Sequence, residues 1–174
     1  MNGITKLCQS NFLNSQFNSL LLLRIQNSNG LDLTKEKYKY SSEGNLTEIN
    51  YPQSNIPTTY LWGYKHQYLI AKIENATYES VRTALGYSND SQVETLAGKD
   101  EPSTSEWTTI NTLRTQLPNA MVTTYTYKPL VGVKSIVDPG YKTTTYEYDA
   151  FGRLQAIRDH NEKLIEQYDY HYKD

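Results

Sequence analysis

Tyr146-Glu147-Tyr148-Asp149-Ala150-Phe151-Gly152-Arg153-Leu154-Gln155-Ala156-Ile157 is the stretch that decides how this chain folds. Thr144, Tyr146 and Tyr148 fall on one face of a strand, and Thr145 and Glu147 on the other. That is the period-two pattern of a half-buried sheet. Asp149 through Gly152 is turn chemistry: Asp opens a type I turn, and Gly takes the positive-φ position that a following bulge demands. Leu154 and Ile157 continue as the return strand. The stretch reads as one β-hairpin. Tyr38-Lys39-Tyr40-Ser41-Ser42-Glu43-Gly44-Asn45-Leu46-Thr47-Glu48-Ile49 repeats it position for position, with Tyr, Tyr, Gly, Leu and Ile matched.

Other copies follow from the same pattern. Tyr125-Thr126-Tyr127 begins one that reaches Ile136 eleven residues on. Tyr60-Leu61-Trp62 begins a degenerate one, with Trp in the second aromatic slot and Ala71-Lys72-Ile73 as its close. Tyr168-Asp169-Tyr170 begins a last one, predicted as a strand with Tyr168, Tyr170 and Tyr172 on one face. The starts at 38, 60, 125, 146 and 168 lie 22, 65, 21 and 22 residues apart. A fixed period in this range marks repeat architecture, in which no unit buries its face alone. Asp138-Pro139-Gly140 and Asp159-His160-Asn161 supply the turns between copies, with Asn161 expected in the left-handed conformation where Gly is missing.

The long gap holds something else. Residues 77–85 before Gly86, 91–96 before Gly98, and 105–117 before Pro118 read as three short helices, the second capped near Asp90 or Ser91. Trp107, Ile110, Leu113 and Leu117 share helical spacing, and the expected role of their helix is to cover one face of the sheet. The expected organisation is one domain: a weakly ordered segment over 1–30, β-hairpin repeats over 31–75, a helical insertion over 76–119, and further hairpin repeats over 120–174. Within 1–30, only 20–25 reads as an element.

Composition sets the outer limits. The 174 residues include 17 Lys plus Arg and 19 Asp plus Glu, a net charge of −2, so no basic field steers the chain to nucleic acid. Tyr occurs 16 times against 3 Phe and 2 Trp, an excess that suits strands. The single cysteine, Cys8, excludes an internal disulfide and reads as an inert thiol. The longest aliphatic run, 20–23, is too short to span a membrane or to serve as a signal-peptide core. The chain as written therefore reads as soluble, with no secretion address of its own.

The 146–154 stretch, Tyr-Glu-Tyr-Asp-Ala-Phe-Gly-Arg-Leu, resembles the YD repeat of the Rhs (rearrangement hotspot) family, Tyr-x-Tyr-Asp-x-x-Gly-Arg-Leu. The segment from Tyr60-Leu61-Trp62-Gly63-Tyr64 through Ala76 resembles one found in Rhs-like proteins of Bacteroidetes just before a helical insertion. The resemblance covers roughly 31–172. It implies β-hairpins that spiral into a shell, a cell-surface or secreted location, and an association with carbohydrate. The chain departs from complete members in having few repeats and no Asp-Pro-x-Gly-Leu boundary, since Tyr141 follows Gly140. Self-cleavage is therefore not carried over, and the chain reads as a fragment or terminal piece.

The candidate site residues are those of the repeat: Tyr146, Tyr148, Asp149, Gly152, Arg153 and Leu154. Tyr168, Tyr170 and Tyr172 are the candidates for stacking on a glycan. Packing is the stronger reading, because Tyr at alternate positions of neighbouring hairpins builds cross-strand ladders. His66, His160 and His171 fall in loops or on an edge and read as solvated residues. Glu147, Asp149 and Asp159 show no spacing that singles out a hydrolytic pair. The sequence contains no phosphate loop, nucleophile elbow or zinc helix motif. Three Asn-x-Ser/Thr sequons, at Asn45, Asn75 and Asn89, are expected by chance in such a chain. The reading is an α+β fold, an antiparallel twisted sheet of YD-type hairpins with a small helical insertion. It is non-enzymatic and structural, with no cofactor and no metal, and neighbouring repeats or a second copy pair on its edge strands. A carbohydrate or cell-surface binding module is the alternative, and a glycoside hydrolase is the weakest reading.

Overall fold

A computed structural model describes residues 5–9, 19–26, 32–51 and 54–171. The fold is α+β, with antiparallel, twisted sheet strands and a small helical insertion between the sixth and seventh strands. The chain forms two compact units, Met1–Met121 and Val122–Asp174. In the first, β1 (Thr5–Gln9), β2 (Ser19–Gln26), β3 (Asp32–Tyr40), β4 (Leu46–Asn50), β5 (Thr58–Gly63) and β6 (Tyr68–Glu74) pair in chain order, each antiparallel to the next. The second is built from β7 (Met121–Lys128), β8 (Gly132–Val137), β9 (Thr143–Tyr148), β10 (Leu154–Arg158) and β11 (Leu164–Gln167), again in chain order. The weak order expected over 1–30 falls in part on 1–4, 10–18 and 27–30, outside the described residues, while 5–9 and 19–26 pair as β1 with β2.

The repeat read from the sequence is a repeat of register. Tyr38 faces Ile49, Tyr125 faces Ile136, and Tyr146 faces Ile157. The second aromatic of these copies faces the first or second residue of the return strand: Tyr40 with Leu46, Tyr127 with Val133, Tyr148 with Leu154. A register shift next to that pair recurs in all three hairpins, the bulge that the turn chemistry called for.

Four turns share one geometry, over 41–45, 138–142, 149–153 and 159–163. In each, the first residue's N–H donates to the fifth residue's carbonyl at 2.8–3.0 Å, and the fourth residue's N–H donates to the first residue's carbonyl at 2.9–3.1 Å. The first residue's side-chain oxygen accepts the fifth residue's N–H, at 3.1 Å for Ser41 and 2.8–2.9 Å for Asp138, Asp149 and Asp159. These bonds place the chain reversal on the fourth residue, where φ is 82° at Gly44, 62° at Tyr141, 79° at Gly152 and 61° at Glu162. The left-handed residues are thus Tyr141 and Glu162. The expectation of Asn161 is corrected, and Gly140, likewise in the third position, does not take this conformation either.

A side chain with a Cβ pays about 1–2 kcal/mol to stand left-handed, against a smaller entropic cost for glycine. Glu162→Gly is therefore expected to stabilise the second unit by up to about 1 kcal/mol, and Gly152→Ala to destabilise it by about as much. Urea unfolding midpoints measured on both variants check the pair.

Three capped helices fill the gap. Thr77 caps α1 (Tyr78–Ala84), which stops at Leu85 and a left-handed Gly86. Asn89, one residue earlier than expected, caps α2 (Asp90–Ala97). Ser103 and Glu106 form a capping box that starts α3 (Thr104–Gln116) one residue ahead of the reading from sequence. α1 and α2 pack on β5, and α3 packs on α1. Leu61, Ile70, Ala71, Ile73, Val81, Leu96, Ile110 and Leu113 form the core of this unit.

The expected last strand is displaced. β11 occupies Leu164–Gln167, and 168–171 form no strand. The reason lies in the turn: closing at 159–163, it feeds the chain back along β10 at once. Tyr168 N–H still donates to Gln155 O at 2.9 Å, but the ladder has ended by Tyr170. Tyr172 lies outside the described residues.

Candidate functional site

The YD motif gathers at one hairpin end. Asp149 Oδ1 accepts the N–H of Phe151 at 2.8 Å and of Arg153 at 2.9 Å, and Oδ2 accepts Arg153 Nε and Nη2 at 2.7 Å each. The Arg153 backbone N–H is the main cause, with its guanidinium and the Phe151 N–H, of an Asp149 carboxyl held below the usual carboxylate range. The Arg153 guanidinium carbon lies 4.2 Å from the centroid of Tyr170 and 5.2 Å from that of Phe151. Tyr148 OH donates to Val133 O and Tyr170 OH to Leu154 O, both at 2.8 Å. Of the sequence candidates, Tyr148, Asp149, Gly152, Arg153, Leu154 and Tyr170 therefore meet at this end. Tyr146 stands farther along, opposite Ile157, and the Tyr168 phenol is raised chiefly by its hydrogen bond to Glu166.

A second constellation lies in the first unit and was not legible in the sequence. Tyr64, Lys65 and His66 turn β5 into β6 with φ of 52°, 57° and 63°, three left-handed residues in a row without glycine. Such strain persists only where the surroundings over-determine it. Here Lys65 N–H donates to Lys99 O at 2.7 Å, His66 N–H to Ala97 O at 2.9 Å, and Asn45 Nδ2 to His66 O at 2.7 Å. His66, expected to be solvated, is half-buried, with Nδ1 3.6 Å from Glu94 Oε2. Burial is the main cause raising the Glu94 carboxyl above its ordinary value; His66 opposes it, while Glu43 and Asp90 add to it.

An imidazole beside a carboxyl of raised pKa has the makings of acid–base chemistry. The space decides against a sugar substrate between them. Their crevice, walled by Tyr60, Trp62, Tyr78 and Val93, offers about 10 Å³, room for one water. On the other side of Glu94 an open depression of about 300 Å³ is lined by Ser42, Asp90, Ser91 and Thr95.

Glu48 is a third residue that the sequence reading passed over. It is 3% exposed, accepts the Tyr78 N–H at 2.6 Å and pairs with Lys39 Nζ at 2.9 Å. It thereby ties the first turn of α1 to the β3–β4 hairpin. The signal was there in the alignment of copies: Glu48 occupies the slot that Ala156 fills in the later one.

His160 and His171 are exposed, the first in the 159–163 turn and the second outside any strand. Each sequon asparagine is engaged: Asn45 on His66 O, Asn75 Nδ2 on Asn119 O at 2.9 Å, and Asn89 as the cap of α2. Among the described residues no group of three His, Cys, Asp or Glu is placed to hold a metal ion, and no helix is long and apolar enough to cross a membrane. The site residues are those of a β-rich repeat, and their polar groups are committed to its turns and junctions.

A search of the curated proteins finds no match to the chain. Residues 132–161 match the family model described as RHS Repeat. They run from the first residue of β8 through β9 and β10 into the 159–163 turn, so the hairpin with the Asp149–Arg153 clasp is an Rhs/YD-repeat-type segment.

Proposed function

We propose that this chain is a non-enzymatic structural segment of an Rhs/YD-repeat surface or secreted protein, its hairpins extending a sheet that neighbouring repeats or a second copy continue. The observation that carries this reading is how the motif spends its polar groups. Asp149, Arg153 and the Tyr148 hydroxyl all bond within or between hairpins. A catalytic or ligand-binding motif would leave them facing a cleft. β11 supports the partner: it ends the strand order among the described residues, its four residues are all exposed, and a strand edge of that kind seeks pairing.

The second reading is a carbohydrate-binding module, and one observation favours it. Phe151 and Tyr170 are exposed beside Arg153, an aromatic surface with a polar edge. Retention of the chain on a panel of immobilised glycans separates the two readings, measured beside thermal unfolding of Tyr170→Ala and Asp149→Ala. The structural reading expects no retention, and a lowered Tm in Asp149→Ala as the turn N–H groups of Phe151 and Arg153 lose their acceptor. A glycan held by the native chain and released by Tyr170→Ala at unchanged Tm would overturn it.

A further inference from the structure

Successive hairpins meet in the same way at three junctions. Trp62 Nε1 donates to Leu46 O, Tyr148 OH to Val133 O, and Tyr170 OH to Leu154 O, each at 2.8 Å and 15 or 16 residues apart in sequence. In all three the donor is the second aromatic of a copy, and the acceptor is the first or second residue of the preceding return strand. At each junction the backbone ladder stops short of that acceptor. The nearest pairs are Glu48 with Thr59, Ser135 with Thr145, and Ala156 with Gln167, two residues inward every time. The strands diverge where the turn begins, and a backbone carbonyl left without a partner there is costly. The ring reaches across the gap and supplies the donor that the neighbouring backbone no longer can.

We infer that the second aromatic at each of these three junctions is a latch onto the preceding hairpin, and that the slot therefore requires a ring carrying an N–H or O–H. Tyr-x-Tyr and Tyr-x-Trp strands both meet that requirement. Tyr and Trp pair an apolar body with a polar tip, whereas Phe covers the same area and leaves the carbonyl bare. This accounts for the composition: the 3 Phe, at 12, 17 and 151, all fall outside the aromatic slots. Room has been made for the latch as well. A Cβ on Gly132 would stand 2.4 Å from the Tyr148 hydroxyl, so this glycine lets the ring lie across β8.

The inference deepens the structural reading and rests on it. Amide hydrogen exchange on the full chain, without ligand, tests it through Tyr148→Phe against Tyr146→Phe. Tyr148→Phe is expected to speed exchange across β8 and β9 about two- to tenfold, the effect of one ordinary hydrogen bond, and to leave β3 and β4 unchanged. Tyr146→Phe, at the first slot, is expected to leave both regions alone. Native rates in Tyr148→Phe, equal loosening by the two variants, or loosening spread over every hairpin would each overturn the latch. Glycan retention would overturn the structural reading without altering this pattern of exchange.

Discussion

Glu48→Ala is expected to lower the stability of the first unit by about 2–4 kcal/mol, in the range of other losses of a buried, paired polar group. Three effects add. The Tyr78 N–H at the start of α1 loses its acceptor in a buried setting, Lys39 loses its partner, and a cavity opens where the side chain stood. The Lys39 side chain is 40% exposed and recovers water, so its share is the smallest. Lys39→Met leaves the buried Glu48 carboxylate without its cation but keeps its bond to the Tyr78 N–H and opens no cavity, so it should cost less than Glu48→Ala. Guanidinium unfolding of both variants, with circular dichroism at 222 nm to follow the helices, checks the ordering. Equal losses in the two would mean that the ion pair, and not the bond to α1, is what Glu48 contributes.

Leu61→Ala is expected to cost about 2–5 kcal/mol, the range for emptying a closed apolar site. Leu61 is 1% exposed on β5, beneath a unit whose helices pack on that strand. Leu130→Ala, at a residue 94% exposed in the turn between β7 and β8, should lie within about 0.5 kcal/mol of the native chain. Denaturant midpoints for the two substitutions, the same chemical change in two environments, measure what burial alone contributes. A Leu61→Ala loss below about 1 kcal/mol would mean that the site relaxes to fill the space.

Leu61 also shows where the sequence was already informative. It lies between the two aromatics of its copy, in the slot that holds Lys39, Thr126, Glu147 and Asp169 elsewhere. That slot faces away from the tyrosines. Polar residues there leave the second face wet, while Leu61, with Ala71 and Ile73 across the hairpin, marks where something must cover it. The insertion of three helices in the gap and the packing of α1 and α2 on β5 answer that demand.

The hairpins, their period and the Tyr–Ile register were determined by the sequence itself, because alternation and turn chemistry act over a dozen residues and need no distant partner. The same locality explains the helix caps and the Asp149–Arg153 clasp, four residues apart. The left-handed glycines of two turns, Gly44 and Gly152, were legible in the same way, but the left-handed positions of the turns at 138–142 and 159–163 were not. Tyr141 and Glu162 take that conformation because the loop's closing bonds impose it, against their own preference. The tertiary structure alone decided the rest. His66 meets Glu94 across 28 residues, Glu48 meets the Tyr78 N–H across 30, and Trp62, Tyr148 and Tyr170 each meet a carbonyl one hairpin back. Such contacts depend on how strands diverge at their ends and how a helix is set on a sheet, distances that no periodicity records. Tyr-x-Tyr was legible as a strand. That its second hydroxyl holds one hairpin to the next became visible only when the hairpins stood side by side.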